Sequence, residues 1–282
     1  MSGARPALDP LALHVAGLSL RLTLDDAPLR ALLARRYAGF VDGHPTLGPA
    51  HGPLLHLHYR RRSDAAVLVP QTLAQAHLEG TQLRVGSWAT LDRTTGLGHV
   101  EAHASMLALD VLLRAELTAR VMEQGGLALH AAGVVVHGVA HVFAGPSGAG
   151  KSTVAQALHA EGATVLADEF LLVAPGANGR MWAWGTPFWR GTPTGAPIGS
   201  VWKLGRGSDG VRALAGPGAV MRQLVTNLSL VVAGAGLEQR ARAAAARLCA
   251  QAKGFELRYV PGQPILSMLN DCQPSWQKDQ KQ

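Results

Sequence analysis

The chain has 282 residues and a mass of 29.5 kDa, 48% hydrophobic and 16% charged. That is enough apolar material for one large or two modest globular domains, and it excludes disorder as the main state. Thirty-three glycines and sixteen prolines exclude a coiled coil or helical solenoid, and without a collagen period they imply many turns in a mixed α/β chain.

The net charge of +7 and the pI of 10.0 raise the question of nucleic acid. The only lysines are Lys151, Lys203, Lys253, Lys278 and Lys281, and the arginines are scattered among Ala, Gly and Pro. The densest run, Arg60, Arg61 and Arg62, reads as a solvated strand end, so no nucleic-acid partner is expected. Cys249 and Cys272 are too few for a disulfide framework and neither sits in a CxxC pair. Residues 1–10 carry Pro6, Asp9 and Pro10 where a signal peptide needs an apolar region, so the expected setting is cytoplasmic. Residues 127–145 contain no Asp, Glu, Lys or Arg, but His130, His137, His141 and a His137-Gly138 turn interrupt them. Two buried strands joined by a tight turn account for the run better than a membrane span, and no membrane partner is expected.

In chain order, residues 11–24 alternate as strand material broken by a turn at Gly17. Asp25 and Asp26 precede Pro28 and a stripe of Leu29, Leu32, Leu33 and Tyr37, which predicts an N-capped helix ending near Gly39. Leu55, Leu57 and Tyr59 alternate with His56 and His58 in a further strand; 67–69 and 83–90 are short strands, and Gly96 and Gly98 mark a turn. Helical spacing runs through Met106, Leu107, Leu109, Leu113, Leu117 and Val121 over 103–123, with Gly125-Gly126 as the stop. After it come a strand (127–136), a turn, a strand (139–144), a glycine loop (145–150), a helix (151–160) and a strand (163–166), the βαβ order of a mononucleotide site. Pro- and Gly-rich connections follow to about residue 218, then a buried helix at 219–224, strand material at 228–233 and an Ala/Arg helix at 237–252. The expected division is an N-terminal α+β region (1–100), a nucleotide-binding domain (101–273) and a loose polar tail (274–282).

The glycine loop, Gly145-Pro-Ser-Gly-Ala-Gly150-Lys151-Ser152-Thr153, matches G-x-x-x-x-G-K-[ST] after an apolar strand and at the start of a helix. In such a loop the backbone N–H groups of Gly145, Ser147, Gly148, Ala149 and Gly150 cradle phosphate oxygens, and the helix N-terminus adds partial positive charge. Lys151 is placed to reach the β and γ phosphates, the Ser152 hydroxyl to ligate Mg²⁺, and Thr153 to help hold the α phosphate. ATP and Mg²⁺ are the expected cofactors. Downstream, Asp168 and Glu169 end a buried strand, one available for the metal and the other to take a proton from an acceptor hydroxyl. His130 lies in the strand leading to the loop.

Leu129-His130-Ala131-Ala132-Gly133, the loop 144–153, Leu166-Ala-Asp168-Glu169 and Gly185-Thr186-Pro187-Phe188 together resemble the HPr kinase/phosphorylase-related family. Weaker similarity lies in Tyr37-Ala-Gly-Phe40 and Gly86-Ser-Trp88. The resemblance implies an α/β fold with a P-loop core of the phosphoenolpyruvate carboxykinase/HPr kinase type and an N-terminal α+β part packed on it. It also implies an ATP-dependent kinase acting on a serine-type hydroxyl. Carried over residue by residue, Lys151 and Ser152 serve nucleotide and Mg²⁺, Asp168 is general base, His130 stands close to it, and Glu169 is the metal-side carboxylate. Glu169 replaces the second aspartate usual in the family, and the Gly-rich signature tied to phosphorolysis is absent after it. HPr is therefore not the expected acceptor; a peptide, small protein or small molecule is, and a homo-oligomer is compatible with the sequence.

Arg190, Arg206 and Arg222 are candidates for a cation assisting transfer. His56 and His58 share one side of a strand without a third metal ligand at useful spacing. Trp182, Trp184, Trp189 and Trp202 pack under a long loop or line a lid or acceptor groove. Two alternatives to the kinase are a nucleotide-binding regulatory or scaffold protein without transfer activity, and a carboxykinase-like enzyme.

Overall fold

The computed structural model describes residues 9–41, 53–61, 76–102, 106–188, 191–207, 210–260, 262–270 and 272, with backbone only for Arg61 and Arg206. The chain is mixed α/β with large mixed sheets. It divides into two compact units, Met1–Ala119 with Val231–Ala235, and Arg120–Leu230 with Gly236–Gln282. The sequence-based expectations for 62–75 and 274–282, including the strand at 67–69, lie outside the described residues.

The first unit runs β1 (Leu11–Val15), β2 (Leu18–Leu24), α1 (Ala27–Arg36), β3 (Leu54–Arg61), β4 (Ala76–Glu79), β5 (Gln82–Val85), β6 (Ala89–Asp92), β7 (Leu97–Ala102) and the greater part of α2 (Met106–Glu123). Asp26 caps α1 by accepting from the Leu29 N–H at 3.0 Å. Leu29 and Leu33 are buried as the stripe requires, whereas Leu32 faces solvent. The stretch read as one strand at 83–90 is a hairpin of β5 and β6, because Gly86 turns the chain at φ +52°. Gly96 turns likewise at φ +75°, but Gly98 lies inside β7. His56 bonds Thr23 Oγ1 at 2.6 Å, and His58 pairs with Asp25 at 3.2 Å and stacks on His99. Both histidines are thus engaged within the strand surface. Tyr37 donates its hydroxyl to buried Asp110, which Arg36 also meets at 2.8 Å.

The second unit continues with β8 (Leu127–Leu129), β9 (Ala131–Val136), β10 (Val139–Ala144), α3 (Lys151–Ala160), β11 (Thr164–Ala167), β12 (Leu171–Pro175), β13 (Met181–Trp184), β14 (Gly195–Arg206), β15 (Gly210–Ala213) and α4 (Gly216–Val225). The chain then gives β16 (Val232–Gly234) to the first unit, where it pairs with β4, and returns for α5 (Leu237–Gln251), β17 (Lys253–Tyr259) and α6 (Leu266–Asn270). At the stop after α2, Gly126 N–H donates to Val121 O and Gly125 N–H to Met122 O, with Gly125 at φ +80°. This is a Schellman closure that only glycine enters without strain.

Three further stretches differ from what the sequence predicts. The strand placed at 127–136 breaks at His130: β8 pairs with β12, while β9 lies between β10 and β11. Every residue from Leu127 to Leu129 and Ala131 to Val134 is buried, so burial on both faces hides the break from any periodicity. The connections assigned to 175–218 contain β13, β14 and β15. Glycines there permit close strand contact, as at Gly195, where a Cβ would stand 2.4 Å from the Trp184 ring. The strand at 228–233 shortens to β16.

The long strand β14 joins two halves of the sheet. Its start pairs with β13, and its remainder lies parallel between β10 and β17. Phe143, Trp202 and Phe255 stack in register across β10, β14 and β17, with ring centroids 5.8 and 4.8 Å apart, against Val154 and Leu158 of α3. Alternation turns Gly254 to the other face, where a Cβ would meet Val220 of α4 at 2.2 Å. So α3 and α4 cover opposite faces. Trp202 is core and Trp182 stacks on Trp184 at 5.7 Å, while Trp189 lies outside the described residues. Among those residues no helix is long and apolar enough to cross a membrane.

Candidate functional site

β10 is buried at all six positions and ends at Ala144, where the chain leaves the sheet. β10 and β11 are each antiparallel to β9 and hence parallel to one another, and α3 makes the crossover. The loop 145–150 therefore stands at the carboxyl end of a central strand and the amino end of a helix. Gly148 and Gly150 have φ of +77° and +94°, and a side chain at such a position costs about 1–2 kcal/mol. Gly150 is the N-cap of α3 and no side chain caps the helix. Its first-turn N–H groups thus remain directed at the space beside the loop. Gly145 is buried, Ser147 and Gly148 are exposed, and Ala149 is half-buried.

Lys151 is buried in the first turn of α3 and folds back, donating to Gly145 O at 2.8 Å and Pro146 O at 3.0 Å. Burial pushes its pKa down, and the charge of Glu169 opposes that shift. Ser152 and Thr153 are exposed on the same turn. Thr153 shares a hydrogen bond with Tyr259, whose phenol is pushed up by burial and drawn back by that bond. A Cβ on Gly150 would stand 3.5 Å from the Tyr259 hydroxyl.

Asp168 and Glu169 follow directly on β11. Glu169 is exposed and acts on Lys151, whereas Asp168 is half-buried and lines a cavity of about 590 Å³. That cavity runs along α3 and β11, past Ala155, Gln156, His159, Ala163 and Val165. The acid pair is braced from behind. Thr192 donates its N–H to Leu166 O at 3.1 Å and its hydroxyl to Val165 O at 2.7 Å. Thr186 Oγ1 donates to Phe170 O at 2.8 Å, and Phe188 meets Phe170 edge-on at 5.7 Å. The segment 185–188 thus supports the backbone that carries both carboxylates.

His130 sits half-buried at the break between β8 and β9, its backbone N–H donating to Asn227 O at 2.8 Å. Of the three candidate arginines, Arg222 is exposed on α4 and Arg190 lies outside the described residues. The side chain of Arg206 is not described.

Four side chains around the loop escaped the sequence reading. Gln223 of α4 donates to Ala144 O at 2.5 Å, fixing the end of β10. Tyr259 reaches the loop from β17. Lys203 stands in register with Ala144 on β14, and its ammonium meets Glu256 at 3.3 Å. Glu256 is nearly buried and also accepts from Arg212 at 2.5 Å; that bond first, then Lys203, holds its pKa at about 2. The signal for β17 was present in the alternation of Phe255, Leu257 and Tyr259 with Glu256 and Arg258. Among the described residues no group of three or more His, Cys, Asp or Glu is arranged to hold a metal. No family model matches this chain, and no curated protein matches it.

Proposed function

We propose that the second unit is a P-loop phosphotransferase of the HPr kinase-like type, moving the γ-phosphate of ATP to a serine-type hydroxyl in the cytoplasm. The observation that carries this reading is the loop itself. Gly148 and Gly150 hold left-handed backbone, no side chain caps α3, and Lys151 lies inside the turn with Glu169 acting on it.

The residues fit ATP and Mg²⁺. The amides of 147–151 and the first turn of α3 are the donors for phosphate oxygens. An ammonium has three N–H groups, and Lys151 gives two to Gly145 and Pro146, which leaves one for a phosphate. Ser152 and Glu169 supply a hydroxyl and one carboxylate. That suffices for Mg²⁺, which is commonly held by one or two carboxylates, phosphates and water. When bound, Mg²⁺ neutralises charge on the β and γ oxygens.

Asp168 takes the proton of the acceptor hydroxyl as the acceptor oxygen bonds to the γ-phosphorus. The bond from that phosphorus to the bridging oxygen breaks, and ADP leaves. The separation of the two acids supports this division of labour, since Glu169 is on the Lys151 side and Asp168 on the cavity. His130 is assigned a place beside Asp168 by the family resemblance alone. The test is a product-mass screen with ATP, Mg²⁺ and a library of serine-containing peptides and small hydroxyl compounds, with Lys151→Ala as blank. A product heavier by one phosphoryl group in wild type alone supports the reading. Nucleotide binding without any phosphorylated product points instead to a binding protein.

A further inference from the structure

We infer that the cavity beside Asp168 is the acceptor site, and that it takes a small, neutral or cationic hydroxyl compound of the amino-alcohol or polyol class. This rests on the phosphotransferase reading and names its substrate class. The volume of about 590 Å³ falls within the range of small-molecule sites.

Its walls are compact. Ala155 and Ala163 form an apolar floor, and Gly162, at φ +96°, brings no side chain into it. The polar groups sit apart along its length. Asp168 is at the end nearest the loop, because β11 runs from Thr164 toward the site. Gln156 and His159 come from successive turns of α3. The His159 ring nitrogen Nδ1 lies 3.3 Å from Ala163 O, and a carbonyl only accepts, so Nδ1 donates and Nε2 is the nitrogen left for a ligand. An amide, an imidazole nitrogen and the Thr164 and Thr192 hydroxyls suit hydroxyl and amino groups.

Charge decides the class. Among the described residues that line the cavity there is no lysine or arginine, and Asp168 is the one carboxylate. A phosphorylated or carboxylate acceptor would bring a like charge to Asp168 with no cation among the described lining residues against it, a repulsive arrangement. A neutral polyol meets no such cost, and an amine gains from the carboxylate.

The experiment uses serinol as cationic probe and glycerol as neutral probe, with Mg²⁺ and ATP, on wild type, Gln156→Trp and Thr164→Trp. Both substituted residues are exposed, so the indole fills the cavity rim without entering the core. ATP affinity is measured in parallel by calorimetry. The expected result is probe-dependent ADP formation in wild type, reduced at least tenfold in both variants while ATP affinity stays within twofold. Probe-dependent ADP formation undiminished in both variants would overturn the assignment. So would phosphorylation of a peptide but of neither probe. A wild type that fails to bind ATP defeats the phosphotransferase reading itself, and calorimetry separates that outcome from the others.

Discussion

Gly185 lies flush against the backbone of Leu166: a Cβ there would stand 2.7 Å from the Leu166 carbonyl oxygen, and 1.9 Å from that of Thr192. Backbone cannot yield as a flexible side chain does. Gly185→Ala therefore pushes Gly185 and Thr192 apart and away from β11, just behind Asp168. Overpacking of this kind costs about 1–3 kcal/mol. The expected outcome is a lowered denaturation midpoint together with a loss of phosphoryl transfer larger than any loss of ATP affinity. Equal losses of both would place the segment's role in the loop rather than in the acids.

The two carboxylates occupy different surroundings and their variants should separate. Asp168→Asn removes the proposed proton acceptor and is expected to lower transfer by about 10²-fold or more while leaving ATP affinity within twofold. Glu169→Gln removes the charge that acts on Lys151 and is expected to raise the Mg²⁺ concentration needed for half-maximal activity. Titrating Mg²⁺ with each variant checks the assignment. Interchanged phenotypes would reverse the two roles.

Acid stability has a recognisable source in His141. Its ring is buried, with Nδ1 2.8 Å from Ser200 Oγ, and burial first, then the charge of His137, lowers its pKa from 6.5 to about 4. Above pH 6.5 the imidazole is neutral both folded and unfolded. Between 6.5 and 4 only the unfolded chain takes the proton, so stability is lost as pH falls through that window, by about 3 kcal/mol in all. Glu256, held at about 2, adds a separate loss below its ordinary 4.5. Urea midpoints at pH 6.5 and 5 should fall steeply in wild type and much less in His141→Asn. An unchanged slope in the variant would assign the acid sensitivity elsewhere.

Local signals were legible where one rule dominates. Asp26 and Pro28 announced α1, Gly125-Gly126 closed α2, and 145–153 announced the loop with its strand and helix. Signals failed where tertiary pairing decides. The break at His130 falls within an apolar run buried on both sides, so no alternation marks it. Glycine and proline suggested loops from 175 to 218, yet Gly195 and Gly205 of β14 are pressed by neighbouring side chains, as the Trp184 ring presses on Gly195. At the site, the positions of Gln223, Lys203 and Tyr259 depend on α4, β14 and β17 meeting β10 and the loop. Residues 59 to 109 positions apart in sequence carry no mutual mark, as with Lys203 and Ala144 or Tyr259 and Gly150.

In the proposed chemistry the loop 145–153 seats a nucleoside triphosphate, and calorimetric titration with ATP and Mg²⁺ tests this most directly. Wild type is expected to bind one ATP per chain, and Lys151→Ala to bind at least tenfold more weakly, about 1.4 kcal/mol or more, with its denaturation midpoint otherwise close to wild type. Equal ATP affinity in the two proteins, or no binding to either, would contradict it.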